Sequence, residues 1–425
     1  MTVYERGPGL GGLWACTLDG EGKMVAENSC KVFQSSYHTA PALLKLIGAN
    51  WQDHFTPRHD LMRHWLRPFL HDCSFADRAK LTRGFLLHAS GLRDYRSISV
   101  QDWLDEQNMG EAARAWMRAT ALGGIAGTLR MSVWELYHRA QSNLGSIVFG
   151  ADGGLHWNSQ PPNAADGFVS TWQRELERLG VEIRPSTPVT SLATAGEARA
   201  PGQPKGLVLE TAAGNVAADA VFLALPPPAL SELLMRSGDE VTTGFGHTRE
   251  TLRTMLAESV YEHLGLAWFF DRPLPNDLPL GGHNVRRGWH PILVQHSQYQ
   301  AHLRPPAVTV VVGSVSIVTD FLHPRLGTRA QDHAPEELAR ILWEDERLVD
   351  ATLPRPIEAT LYGISSATQI IRHGPLAVKS AGAEVYVATS LNGLAPYFTA
   401  SLESAIQAGA AAAAAFDDSV ERLPV

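Results

Sequence analysis

The sequence is poor in cysteine, in positive charge and in long apolar runs. Three of its 425 residues are cysteine, none of them in a Cys-x-x-Cys pair, which argues against a disulfide framework and is typical of a reducing compartment. Lys and Arg number 36 against 44 Asp and Glu, a net charge of −8, which argues against a nucleic-acid partner. The most apolar stretches, 308–318 and 408–416, fall well short of the roughly 20 residues of a membrane-spanning helix.

Composition places the chain among ordinary globular proteins, with 44% hydrophobic and 19% charged residues, and its length is enough for two domains. Because Met1 leads directly into a strand with no leader-like segment, we predict a cytoplasmic protein. Histidines at 54, 59, 64 and 71 lack the i, i+4 pair that places two imidazoles on one helical face. We therefore predict no metal site.

The most informative stretch is the first, TVYERGPGLGGLW, in which a short strand runs into a glycine-rich turn. One interpretation takes Gly7, Gly9 and Gly12 as a GxGxxG phosphate loop. That motif needs a helix directly after it, whereas the glycines and acids at 19–22 would stop a helix within about two turns. Pro8 also lacks one of the N–H groups that the loop would use. We therefore disfavour this interpretation.

The second interpretation makes this strand the second of a dinucleotide fold. A carboxylate at its end, Glu5, would accept hydrogen bonds from ribose hydroxyls, and Gly11 and Gly12 would let the backbone approach the cofactor. The pattern V-x-E-x5-G-G resembles the start of the flavin-dependent amine oxidase and phytoene desaturase superfamily. Two features depart from that pattern: Leu13 replaces the usual Arg, and the glycine loop of the preceding βα unit is absent upstream. A trimmed or late N-terminus is the expected explanation for the second.

The resemblance continues through the middle of the chain. A helix, GFVSTWQRELERLG, is followed by the strand VEIRPSTPVTSL, in which Val189 matches the position where the family contacts adenine. Further on, a strand that begins after Asp219 ends on Pro226 and Pro227, as the corresponding family strand does. By itself, a buried strand followed by a proline turn would be unremarkable in any α/β protein.

The resemblance is strong again near the end, in AEVYVATSLNGLAPYFTASLESAIQAG. A strand leads into a long helix, whose N-terminus carries the positive end of the helix dipole. The resemblance implies that the amides of Ser401 and Leu402 point at the flavin, and that Tyr397 and Phe398 line the substrate side of its ring. Ser390 stands where the family has an acid that bonds the ribityl chain.

The resemblance implies an α/β fold with a Rossmann-like FAD domain and a mixed α+β substrate domain. The FAD domain would be discontinuous, from residues 1–50, 150–235 and 366–425, and the substrate domain would comprise 51–149 and 236–365. Within the latter, Trp289 is a candidate substrate contact because it follows a loop rich in Pro and Gly. Four aromatic residues at helical spacing are predicted to be core rather than a ligand cage: Trp103, Trp116, Trp134 and Tyr137.

The function that the resemblance implies is an FAD-dependent oxidoreductase. It would take a hydride from a C–N or C–C bond of a small, apolar or aromatic substrate, as amine oxidases and desaturases do. No catalytic residue can be assigned, and hydride loss to a flavin requires no Ser-His-Asp or metal constellation. The alternatives are a flavin-free relative that binds a small molecule or an active partner, and a redox-neutral flavin isomerase. The oligomeric state stays open, a homo-oligomer included.

Overall fold

The structure is a computed structural model. It describes residues 1–12, 16–18, 24–27, 32–34, 39–58, 69–118, 129–138, 140–141, 155–158, 167–195, 206–278, 283–284, 288–298, 307–317, 321–367, 374–392 and 397–416. The chain divides into two compact units. The first unit comprises Met1–Leu10, Glu175–Val260 and Ser366–Val425, and the second unit comprises Gly11–Arg174 and Tyr261–Ser365.

Short strands alternate with helices along the chain. The strands are β1 (Thr2–Tyr4), β2 (Cys16–Leu18), β3 (Met24–Glu27), β4 (Val32–Gln34), β5 (Phe55–Arg58), β6 (Leu155–Asn158), β7 (Glu182–Arg184), β8 (Val189–Thr194), β9 (Leu207–Thr211), β10 (Gly214–Ala218), β11 (Val221–Leu223), β12 (Val260–Phe270), β13 (His283–Asn284), β14 (Ile292–Gln295), β15 (Thr309–Ser316), β16 (Glu358–Ala367) and β17 (Val385–Val387).

The helices are α1 (Thr39–Leu46), α2 (Phe75–Ala89), α3 (Val100–Glu106), α4 (Glu111–Arg118), α5 (Phe168–Arg178), α6 (Pro227–Arg236), α7 (Asp239–Thr243), α8 (Arg249–Ser259), α9 (Pro335–Arg347) and α10 (Tyr397–Phe416). Two of them, α6 and α9, begin with proline in the first turn, because a first-turn residue needs no N–H donor. Across the part of the chain described above, none of the helices combines the length and the apolarity needed to cross a bilayer.

The first unit is built on two parallel strand pairs. Strand β1 pairs with β7, and β11 pairs with β17. Beside them lies an antiparallel sheet in the order β10-β9-β8. Leucine and valine side chains from these strands and from α6 form one core, in which Leu230, Leu234 and Val385 are completely buried. Parallel pairs of this kind are typical of the α/β class that the sequence predicts.

The second unit is organised by a five-stranded sheet in the order β13-β14-β15-β12-β16. All eight residues of its central strand, β15, are buried. One face of the sheet packs under α9 with Trp268 and Trp343 in the core, and the other face buries a smaller cluster around Phe269. A Cβ on Gly313 would lie 2.9 Å from the Ile292 carbonyl oxygen and from the Trp268 ring, so the tight packing of β15 requires glycine there.

The predicted aromatic core of the helical segment is confirmed for three of its four residues. Trp103, Trp134 and Tyr137 are at most 8% exposed, whereas Trp116 is half-buried and lies 5.2 Å from the Phe69 ring. Helix α3 is capped by Ser99, whose hydroxyl accepts the Asp102 N–H at 3.0 Å. Such a cap satisfies one of the free amides of the first turn.

The two units do not follow the predicted domain boundaries throughout. Residues 11–50 and 150–174, expected in the FAD domain, belong to the second unit, and residues 236–260 belong to the first. The first unit resumes at residue 366. Local motifs place the strands well but do not show which unit a connecting segment packs against, because that packing depends on distant residues.

Candidate functional site

The candidate site of the first unit begins at the end of β1. The Glu5 N–H donates to the Arg184 carbonyl oxygen at 3.0 Å, which extends the β1–β7 pairing by one residue. The Glu5 side chain then turns back, and its Oε1 accepts the Gly7 N–H at 2.6 Å. This carboxylate is half-buried at the carboxyl end of a parallel strand, which is where ligands bind in open α/β sheets.

The structure brings the segment before Val189 against the Glu5 turn. The Glu5 carbonyl oxygen accepts the Thr187 N–H at 2.8 Å, and the Gly7 carbonyl oxygen accepts the Ser186 N–H at 2.8 Å. Tyr4 and Val189 also pack against the same core cluster. The residue expected to contact ribose and the strand expected to contact adenine are therefore neighbours, although 184 positions separate Glu5 from Val189 along the sequence.

The glycine pair of the first turn has the backbone conformation that glycine favours. Gly11 has φ 116° and Gly12 has φ 50°, and a Cβ on Gly12 would meet no atom within 4 Å. At that position conformational strain, rather than lack of space, disfavours other residues. Both glycines belong to the second unit. Leu13 lies outside the described residues.

The end of β17 forms the second part of the candidate site. Thr389 is 1% exposed; its N–H donates to Asn392 Oδ1 at 3.0 Å, and its carbonyl oxygen accepts the Ser404 hydroxyl at 3.0 Å. Its own Oγ1 is buried and has no hydrogen-bond partner among the described residues. Ser390 follows directly and opens a 3-10 turn, Ser390–Asn392. These partners were not foreseen, although the Asn-Gly pair that begins at Asn392 is a turn signal.

Helix α10 begins earlier than the resemblance implies. Its first residue is Tyr397, so the amides without intrahelical partners are those of the first four residues, 397–400. Ser401 and Leu402 lie in the second turn, where their amides are positioned for intrahelical bonds. The side chains of Tyr397 and Phe398 lie outside the described residues. The sequence offers no capping residue between Leu394 and Tyr397 that would have located this boundary.

A charged cluster supports β17 from the side. The Lys379 ammonium lies 2.8 Å from Glu384 Oε1, and the Tyr386 hydroxyl donates to Glu384 Oε2. Burial by itself would raise the pKa of the Glu384 carboxyl, but the bonds from Lys379 and Tyr386 outweigh it and hold that pKa below its usual value. Burial, then the bond to Glu384, raises the pKa of Tyr386. The cluster is therefore an ionised carboxylate held by a cation and a neutral phenol.

Trp289 is a core residue, which corrects the expectation that it contacts substrate. It is completely buried in the second unit, and its indole N–H donates to the Thr328 carbonyl oxygen at 3.2 Å. The rings of His323 and His333 lie 4.6 and 5.3 Å from its own. The loop composition around Trp289 gave no sign of this burial, because the residues that enclose it lie more than 30 positions away.

Comparison with known proteins finds likeness in structure alone: no protein-family model matches the sequence, and no curated protein does. Putrescine oxidase, in its wild type bound to putrescine, is similar with a TM-score of 0.60 and 14% identity, over 97% of this chain and 92% of that one.

Two further solved structures are similar over most of their length. A protein provisionally named a protoporphyrinogen oxidase, from Exiguobacterium sp. 255-15, has a TM-score of 0.57 and 17% identity, over 95% of this chain and 90% of that one. An oxidoreductase from Methanosarcina mazei has a TM-score of 0.52 and 14% identity, over 96% of this chain and 94% of that one. The chain therefore has the α/β, Rossmann-like amine oxidase fold that the sequence resemblance predicts.

Proposed function

We propose that this chain is an FAD-dependent oxidoreductase that oxidises a C–N or C–C bond of a small, apolar or aromatic molecule by taking a hydride from its carbon. The observation that carries the proposal is the pair of backbone hydrogen bonds that join the Glu5 turn to Ser186 and Thr187. They place an acid at the end of a parallel strand beside a second strand end, and dinucleotides bind at such places. Putrescine oxidase and the other similar structures supply an oxidoreductase precedent for the fold, which is support by analogy.

The residues of the first unit fit the adenosine half of FAD. The Glu5 carboxylate accepts one backbone N–H and has lone pairs left for ribose hydroxyls. Val189 begins β8 next to this turn and is half-buried, so its backbone can meet the adenine edge.

The fit of the flavin half rests on the strand and helix at the end of the chain. The buried Oγ1 of Thr389 is a hydrogen-bonding group that a ligand could satisfy, since buried hydroxyls are almost always bonded. Ser390 would take the place of the family's acid near the ribityl chain. The start of α10 would direct amides at the flavin, with Ser401 and Leu402 following in the next turn. Tyr397 and Phe398 would lie on the substrate side.

The flavin would supply the chemistry, as the acceptor of a hydride and hence of the two electrons that the hydride carries. The chain would bind and orient the cofactor through Glu5 and Val189 and would exclude water from the reacting bond. We assign no residue to proton transfer.

A second candidate is a flavin-free relative that binds a small molecule or an active partner. Two residues favour it: Leu13 has no charge to offer where the family has Arg, and Ser390 replaces an acid. A redox-neutral isomerase that holds flavin would share the cofactor contacts of the oxidoreductase and differ in the reaction alone.

The first test is the visible absorption spectrum of the purified chain, before and after denaturation and after soaking with FAD. Flavin bands that are released on denaturation support the proposal, and bands that stay with the precipitated protein indicate a covalent link. A colourless protein that takes up no FAD contradicts the proposal and favours the flavin-free alternative. Anaerobic bleaching of the bands by amines or apolar alkenes then separates an oxidoreductase from an isomerase.

Site-directed variants test the binding residues. Glu5→Gln keeps an oxygen that accepts the Gly7 N–H but removes the charge. We expect FAD affinity to fall by about tenfold or more, because a hydrogen bond to a charged group contributes about 1.5–3 kcal/mol. The matched control is Glu182→Gln, an exposed acid paired with Arg184 at 2.9 Å, which should leave FAD affinity unchanged. Equal affinities of both variants and the original protein would remove Glu5 from the site.

A further inference from the structure

The outer face of α2 forms an open apolar groove of about 880 Å³ in the second unit. Its walls are the helix itself, Phe69 and Leu70 from the segment that precedes the helix, and the turn after it. The lining residues are mainly apolar: Phe69, Leu70, Phe75, Arg78, Ala79, Thr82, Arg83, Leu86, Leu87, Ser90 and Leu92.

The groove contains the most exposed large apolar side chains in the part of the chain that the structure describes. Phe75 is 81% exposed and Leu92 is 77% exposed, and beside them Leu86 and Leu70 are 59% and 47% exposed. Single exposed apolar residues are common on protein surfaces, but four that line one groove mark an interaction surface.

The opposite face of α2 is already occupied. Leu81 and Gly84 are buried, and a Cβ on Gly84 would lie 3.0 Å from the Trp103 ring and would overlap the Tyr137 hydroxyl. The helix is thus anchored on one side and still carries large apolar residues on the other. A surface helix normally has polar side chains on its outer face. The exposed apolar residues on the outer face of α2 therefore indicate a binding surface.

The two charged residues that line the groove, Arg78 and Arg83, are both cationic. Arg78 donates to the Leu70 carbonyl oxygen at 2.5 Å, and its Nε is buried with no hydrogen-bond partner among the described residues. Arg83 is exposed. The acid of the helix, Asp77, points away and bonds the Ser74 hydroxyl and the Gly110 N–H. A cationic apolar surface therefore lies on a chain whose net charge is −8.

We propose that this groove docks the chain on an anionic lipid surface, as a peripheral contact. Phe75, Leu86 and Leu92 would enter the boundary between head groups and acyl chains, and Arg78 and Arg83 would lie at the level of the lipid phosphates. Apolar side chains flanked by arginines are the combination by which amphipathic helices bind the plane of such membranes.

A second copy of the chain is a poorer occupant of the groove. A two-fold dimer brings the same surface of both copies together, so Arg78 and Arg83 would face the arginines of the partner across an apolar contact. A lipid phosphate layer meets both cations with opposite charge.

Co-sedimentation with vesicles tests the proposal on the full chain. We expect binding to phosphatidylcholine vesicles that contain phosphatidylglycerol, weak binding to phosphatidylcholine alone, and release at high salt. Phe75→Ser with Leu92→Ser should weaken binding by about tenfold, and Arg83→Gln by a few-fold on the anionic vesicles alone. Thermal melting and circular dichroism show whether each variant is folded.

The matched control is Leu348→Ser with Val349→Ser, two exposed apolar residues beyond the end of α9 at 67% and 64% exposure. This control should bind the vesicles as the original protein does. The proposal is overturned by any of three results: no binding of the original protein, equal binding to both vesicle types, or equal losses in both double variants. A dimer in light scattering that the Phe75 and Leu92 variant abolishes would also overturn it and assign the groove to a second copy.

Discussion

The two units of the chain use their strands in opposite ways. In the first unit, short parallel pairs end on polar residues, Glu5 after β1 and Thr389 after β17. In the second unit, the long antiparallel sheet buries its central strand completely. The candidate cofactor-binding groups of the first unit therefore lie where its parallel strands stop, whereas the sheet of the second unit forms a core under α9.

Each unit also contains a buried acid, and the two acids are held by different partners. In the first unit Glu384 is held by Lys379 and by the Tyr386 hydroxyl beside β17. In the second unit the His323 Nε2 lies 2.6 Å from Asp345, and its Nδ1 accepts the backbone N–H groups of residues 325 and 326. A histidine that accepts at Nδ1 and donates at Nε2 has no nitrogen left for substrate. The His323–Asp345 pair thus fixes a loop, although it has the composition of a catalytic pair.

The largest expected effect is on the core of the second unit. Trp343 is 2% exposed, packs against the Trp268 and Phe270 rings and donates to the Pro354 carbonyl oxygen at 2.8 Å. We expect Trp343→Ala to lower the free energy of unfolding by about 3–5 kcal/mol, measured by urea denaturation. Leu348→Ala, at an exposed position, is the control and should change it by less than about 0.5 kcal/mol. Similar losses of unfolding free energy in both variants would show that Trp343 is not a core residue of the second unit.

The next effect tests the charged cluster of the first unit. Glu384→Gln keeps the hydrogen-bonding shape and removes the charge, so we expect a loss of about 1–2 kcal/mol near neutral pH. Because the folded pKa of Glu384 lies below its ordinary 4.5, its contribution is present above pH 4.5 and is lost as pH falls through the folded pKa. The stabilities of the variant and the original protein should therefore converge in acid. A constant difference at every pH would mean that the charge is not the cause.

A smaller effect on the pH dependence of stability is expected from His138 in the second unit. Burial, followed by the Arg96 charge, lowers the pKa of His138 below 6.5, so the folded state favours neutral imidazole. Its contribution is present above pH 6.5 and is lost as pH falls from there through the folded pKa. His138→Phe, which keeps a ring against Trp134 at the present 5.1 Å centroid distance, should flatten this part of the stability profile. An unchanged slope in denaturation at several pH values would contradict it.

The smallest effect is expected at the cap of α3. Ser99→Ala removes the acceptor of the Asp102 N–H and should cost about 1 kcal/mol of unfolding free energy. Ser97→Ala, an exposed serine two residues earlier, is the matched control and should cost almost nothing. If both substitutions cost the same, the hydroxyl of Ser99 is not acting as a cap.

The sequence predicts much of the fold because its signals are local. The strand before Glu5, the helix that begins at Pro335 and the strand that begins at Val385 all lie where alternation, proline placement and β-branched residues put them. The buried rings of Trp103 and Tyr137 also follow from helical spacing. Such features depend on neighbours a few residues away, which the sequence shows directly.

The sequence does not predict features that depend on distant partners. Trp289 is enclosed by residues beyond 320, and Thr389 is held by Ser404 of the following helix. The sequence also does not show that α10 begins at Tyr397, because no capping residue directly precedes it. For the candidate site, the sequence thus supplied Glu5 and Val189, and the structure added the hydrogen bonds that join their strands.

The central strand of the second unit has a consequence for how the chain is made. Strand β15 is a valine-rich segment of high β-propensity, the type that pairs with other copies when it is exposed. Its two neighbours in the sheet, β12 and β14, both precede it in the sequence. During synthesis the ribosome therefore releases both partner strands before β15, so that its backbone groups find partners within the same nascent chain. This order protects the growing polypeptide from aggregation through its valine-rich strand β15.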